Sequence, residues 1–240
     1  MLKRFMYLDT SALADYVSAL EDGVRSSLER QDEKEKATFS DTPQAQFERL
    51  LSLAKSETDL AGWFPIGVET DLSEVKVGHL VDTECDIYIP DLVKALSPRG
   101  GLADALNLME SIGPAMSVFG VDGMGDLPSR EQRDAVKLFS STLGGSQIAV
   151  GELEDCEWRL AGQLAPEYIK SDVEGPARLI GKVSSVWQAG QWKPFLALPG
   201  TSLIPRAERR KMERKKPAEN ERDHYLEGPA FMLDILAIYR

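Results

Sequence analysis

Val75-Lys76-Val77-Gly78-His79-Leu80-Val81-Asp82-Thr83-Glu84-Cys85-Asp86-Ile87-Tyr88-Ile89 is the stretch on which the fold reading turns. Its odd positions run Val75, Val77, His79, Val81, Thr83, Cys85, Ile87, Ile89, while Asp82, Glu84 and Asp86 fall on even ones. Side chains alternate across a strand, so this pattern buries one face and wets the other. A half-solvated strand belongs to an antiparallel sheet, since parallel sheets bury both faces. Gly78 is a point where the strand can bend.

Toward the N-terminus, Phe5-Met6-Tyr7-Leu8 reads as a short strand and Asp9 as the N-cap of a helix, its carboxylate accepting from free amides of the first turn. Leu13, Tyr16, Val17 and Leu20 then share one helical face. Residues 29–41 are almost wholly polar. Thr42-Pro43 opens a second helix, because proline at the first helical position loses no hydrogen bond; Phe47, Leu50, Leu51 and Ala54 form its apolar side. Beyond the central strand, Pro90-Asp91 leads into a short helix to Leu96. Further helices are expected around Leu102 to Ile112 and Glu131 to Leu143, separated by a glycine-rich loop from Gly120 to Pro128.

The last hundred residues read as strands: Ile148 to Leu153, Cys156 to Leu164, Leu179 to Trp187 with Ala189-Gly190 as a hairpin turn, Phe195 to Leu198, and Phe231 to Tyr239. Strands and helices are not interleaved regularly, which disfavours a doubly wound parallel sheet. The expectation is an α+β fold with a mixed, mostly antiparallel sheet and several helices. Residues 1–145 form a mixed helix/strand part and 146–240 a strand-rich part, packed as one unit.

The 240 residues carry a formal charge of −11, 42% hydrophobic and 28% charged residues, and two cysteines. That composition is globular, and the cysteine count points to reduced thiols and a cytoplasmic location. No apolar run approaches the roughly 20 residues needed to span a bilayer, so no membrane partner is expected. The acidic balance argues against a generally nucleic-acid-binding surface. One segment departs from it: Arg206, Arg209, Arg210, Lys211, Arg214, Lys215 and Lys216 stand against Glu208 and Glu213, a local charge of +5. These basic residues are a candidate binding surface for phosphates or for an acidic partner protein. No aromatic residue is interleaved with them, so base stacking is not suggested.

No complete catalytic or metal motif stands out. His79, Cys85, Cys156 and His224 lack zinc-ligand spacing, and His79 and Cys85 lie roughly 20 Å apart on a straight strand. G-x-S-x-G and the P-loop pattern are absent. The sequence therefore points to no metal and no cofactor, and to a protein that is not itself an enzyme.

Two short resemblances bear on function. Tyr7-Leu8-Asp9-Thr10-Ser11-Ala12-Leu13 resembles the opening of PIN-domain ribonucleases. There the aspartate ending the first strand binds Mg²⁺ or Mn²⁺, which activates water for phosphodiester cleavage. On that resemblance Asp9 is a ligand, with Glu48 and Asp104 the nearest further carboxylates by order. The strand Phe5 to Leu8 with the helix ending near Gly23 is similar to the opening of an uncharacterised bacterial family. Ile180-Gly181-Lys182-Val183 and Gly228-Pro229-Ala230 leading to Leu236-Ala237-Ile238-Tyr239-Arg240 are similar to its close. Members of that family occur in phage-defence loci, including the smaller component of Dodola-type systems, whose partner resembles a Clp-type AAA+ unfoldase. This resemblance implies a sensor, adaptor or effector that acts through a protein partner. Metal-dependent endoribonuclease and nucleic-acid-binding module are the alternatives.

Overall fold

The computed structural model describes residues 3–28, 42–56, 62–67, 70–96, 147–195, 216–217, 219, 222 and 225–240. The strands are β1 (Phe5–Leu8), β2 (Trp63–Pro65), β3 (Leu80–Tyr88), β4 (Gln147–Glu152), β5 (Arg159–Leu164), β6 (Gly175–Trp187), β7 (Trp192–Pro194), β8 (Tyr225–Glu227) and β9 (Ala230–Tyr239). The helices are α1 (Thr10–Leu28), α2 (Pro43–Ser56) and the short α3 (Asp91–Leu96).

Five strands close on themselves. β3 pairs with β4, β4 with β5, β5 with β9, β9 with β6, and β6 returns to β3. Every step is antiparallel except β5–β9, which is parallel. Closure removes the open edges that a flat sheet would expose. The ring order is that of the OB-type Greek-key barrel, a scaffold whose topology alone assigns no activity. β2 extends the sheet from β3, and β1 extends it from β9. The far edge of β1 is covered by residues 165–171, where the Lys170 amide donates to the Met6 carbonyl at 2.7 Å.

The sequence expectation of an α+β protein with mostly antiparallel pairing holds, but two features differ. The sheet is a closed barrel, and the described residues include two long helices rather than several, α3 being only six residues. The helices expected between Leu102 and Leu143 lie outside the described residues. Strands from the first 145 residues and from the remainder share the seven-stranded sheet.

Two cores follow from the two faces of the barrel wall. Val81, Cys85 and Ile87 of β3 point inward and meet Leu160, Leu164, Leu179, Val183, Phe231, Leu233 and Ile235. Outside the wall, Leu80, Ile180, Leu236, Ala237 and Tyr239 are covered by Leu13 and Val17 of α1 and by Phe47, Leu50 and Leu51 of α2. Of the helical faces expected from spacing, Leu13, Val17, Phe47, Leu50 and Leu51 are thus buried on the barrel, not in it. Small residues let strands approach closely. A Cβ on Gly162 of β5 would lie 2.4 Å from Ile235 Cγ1 and Cδ1 and 2.8 Å from the Leu233 carbonyl oxygen.

The long strand expected from Val75 begins only at Leu80. Gly78 takes φ +97°, a left-handed conformation that favours glycine, and the chain turns there. Val75 ends a 3₁₀ turn and Val77 is exposed. Ala189-Gly190 is also a tight turn, closed by the Gln191 amide on the Gln188 carbonyl. The strand after it, β7, pairs with β8 and not back onto β6, so it is not the hairpin expected.

Candidate functional site

The carboxylates named by the ribonuclease resemblance have local partners. Asp9 Oδ1 accepts from the Ala12 amide at 2.8 Å, the hydrogen bond of an N-cap. Glu48 Oε1 on α2 accepts from Lys3 Nζ at 2.8 Å. Asp104 lies outside the described residues. Among the described residues, no group of three or more histidine, cysteine, aspartate or glutamate side chains is arranged to hold a metal ion. The barrel also differs from the alternating strand–helix order that the PIN resemblance implies.

Of the basic segment, Arg206, Arg209, Arg210, Lys211, Arg214 and Lys215 lie outside the described residues, while Lys216 is described and exposed. His79 Nδ1 accepts from the Lys76 amide at 3.3 Å, and its ring stacks on Phe64 with centroids 5.5 Å apart. Cys85 is buried, and burial pushes its thiol up to about 12, the state of an inert core thiol.

The feature that the barrel builds is a cavity of about 800 Å³. It is assembled where β3, the end of β4, the start of β6 and the end of β9 meet. Leu153, Pro176, Ala177 and Tyr239 give it apolar walls, and Glu84, Asp86, Glu152 and Glu154 give it carboxylates. Two arginines also line it, and both are engaged. Arg178 grips Asp82 through Nε–Oδ1 at 2.6 Å and Nη2–Oδ2 at 3.0 Å, with Nη1 3.5 Å from Glu84. Arg240 donates from Nε to the Pro176 carbonyl at 2.8 Å and from Nη2 to the Glu174 carbonyl.

Asp82 was expected on the wet face with Glu84 and Asp86. It is 5% exposed, because the bidentate guanidinium from β6 allows a carboxylate to be buried there. Asp86 and Glu152 sit directly opposite one another on β3 and β4. Like charges opposed across strands repel. Glu152 has partial relief from Arg159 at 3.6 Å; among the described residues Asp86 and Glu154 have no ion-pair partner. The cavity therefore concentrates negative potential beside apolar surface, an arrangement that favours a cationic group with an apolar stem.

On β4, the face that carries Glu152 is largely covered. Ile148 and Val150 share the face of Glu152 on β4, yet both are fully buried, and α3 packs against this strand. Stacking of bases needs exposed aromatic platforms, and β4 and β5 carry none. Sequence reasoning could not find the cavity, because its lining comes from segments about 70 and 60 residues apart; only the acid row of β3 was visible.

No helix of the described residues is long and apolar enough to cross a membrane. Comparison with curated proteins and with solved structures finds no match. The family model described as a domain of unknown function (DUF6414) matches residues 33–239, and the chain belongs to that family.

Proposed function

We propose that this protein is a component of a bacterial anti-phage defence system, acting as a sensor, adaptor or effector through a protein partner of the Clp-type AAA+ class. The observation that carries the partner reading is the cavity. Asp86 faces Glu152 across the β3–β4 ladder, and the cavity's own arginines are occupied by Asp82, Glu84 and backbone carbonyls. A lysine or arginine from a partner relieves the Asp86–Glu152 repulsion while its stem covers Leu153, Pro176 and Tyr239. The phage-defence part of the reading is supported by the resemblance of the two termini to a family found in such loci.

The nuclease alternative has less support. Asp9 is spent on capping α1 and Glu48 on pairing with Lys3. The test is phage plating on cells carrying the native locus, with the gene deleted or carrying Asp86→Lys with Glu154→Lys. The proposal expects both changes to lower resistance. Unchanged plaque counts across a broad phage panel would remove it.

A further inference from the structure

The aromatic side chains at the junction of β1, α2 and β9 form a cluster that does more than fill space. Phe5, Phe47 and Tyr239 meet pairwise: Phe5 and Phe47 edge to face at 4.9 Å, Phe47 and Tyr239 edge to face at 5.4 Å, and Phe5 and Tyr239 tilted at 5.7 Å. The ammonium of Lys3 lies over two of these rings, 5.2 Å from the Phe47 centroid and 5.5 Å from that of Tyr239. Both distances are within the reach of cation–π attraction. On its other side the same ammonium meets Glu48 Oε1 at 2.8 Å. Two π-faces and one carboxylate around one cation are the parts of an ammonium-recognition site.

The rings have packing partners other than Lys3. Phe47 is fully buried and Tyr239 is 7% exposed, both inside the core between helices and barrel. Lys3, in contrast, lies just before β1, on a four-carbon stem whose other end is the only covalent tie; its side chain is 24% exposed. The two rings are packed in the core, whereas the ammonium that occupies them belongs to a part-exposed side chain.

We propose that Phe47, Tyr239 and Glu48 form an alkylammonium-binding site that the chain fills in cis with its own Lys3, and that an external ammonium group competes for it. The ligand class is a primary or methylated ammonium ion, as presented by a lysine side chain or a quaternary amine. The inference does not rest on the phage-defence reading, and its site shares Tyr239 alone with the cavity lining. Lys3 acts as an intramolecular competitor at high effective concentration, so the unmodified chain binds external cations weakly.

The test titrates the full chain with tetramethylammonium and with n-butylammonium, following the Tyr239 and Phe47 ring resonances by NMR. Lys3→Ala should bind both probes saturably, with a Kd of about 1 mM, at least tenfold tighter than the unmodified chain. Lys3→Ala with Glu48→Gln should lose most of that gain. Should Lys3→Ala fold poorly, the unmodified chain gives a second reading. Tetramethylammonium should speed the reductive methylation of Lys3, measured by mass spectrometry against the exposed Lys76 as internal control. Absence of saturable binding to folded Lys3→Ala, equal binding with and without Lys3, or a methylation rate indifferent to the cation overturns the proposal.

Discussion

Replacing Gly162 with alanine probes the parallel β5–β9 seam that closes the barrel. The added Cβ would sit 2.4 Å from Cγ1 and Cδ1 of Ile235 and 2.8 Å from the backbone oxygen of Leu233. Rotation of Ile235 can move its side chain, but the Leu233 carbonyl belongs to the ladder and cannot yield without shifting β9. Overpacking of this kind costs about 1–3 kcal/mol, and the backbone contact puts the expected loss near the upper end, about 3 kcal/mol. Urea unfolding followed by far-UV circular dichroism measures it as a lower midpoint with little change in slope. Ile235→Ala alone creates a cavity and costs about 2–5 kcal/mol. The double variant should be less destabilised than the sum by about 1 kcal/mol or more, because the new methyl fills part of the space that Ile235 leaves. A Gly162→Ala protein as stable as the parent, or strictly additive costs, would refute the seam and with it the closed ring.

Four further outcomes follow from the same structure. Asp9→Ala should destabilise by about 1 kcal/mol in thermal or urea unfolding, whereas Asp9→Asn, an equally good cap, should cost almost nothing; equal losses would deny the capping role. Arg178→Met leaves the buried Asp82 carboxylate without its two charge-assisted bonds and should cost about 2 kcal/mol, less than for a fully buried pair because Arg178 is 41% exposed; a neutral result in urea unfolding would show Asp82 to be solvated. Asp86→Asn removes the repulsion with Glu152 and should raise stability by about 0.5 kcal/mol; lower stability would mean that Asp86 is paired. The Cys85 thiol is raised from an ordinary 9.0 to about 12 by burial, so the stability it contributes is complete below pH 9 and is lost as pH rises from 9 toward 12; iodoacetamide at pH 8 should label part-exposed Cys156 in the native chain and spare Cys85, as read by peptide mass spectrometry.

How far the sequence leads depends on the range of the interaction. Local signals were legible: the Asp9 cap, Pro43 at the start of α2, the apolar faces of α1 and α2, and the alternation from Val81 to Ile87. The barrel was not, since closure is set by the register between β5 and β9, about 70 residues apart in the chain, and no local pattern records it. Alternation also misplaced two residues for identifiable reasons. Asp82 looks solvent-facing until Arg178 arrives from β6, and Val77 looks buried until Gly78 turns the chain. The acid row of β3 announced half of the candidate site; Glu152, Pro176 and Tyr239 join it only through tertiary pairing. The aromatic seat of Lys3 was invisible for the same reason, because Phe47 and Tyr239 stand about 190 residues apart in the chain.

The most direct measurement of the functional account is the affinity of the purified protein for a Clp-type AAA+ ATPase, the partner class proposed, with and without Asp86→Lys and Glu154→Lys. A cavity that docks a cationic group predicts binding that weakens with added salt and at least a tenfold loss in the charge-reversed protein. Binding that is indifferent to both salt and charge reversal would contradict the assignment of the cavity as the partner's docking site.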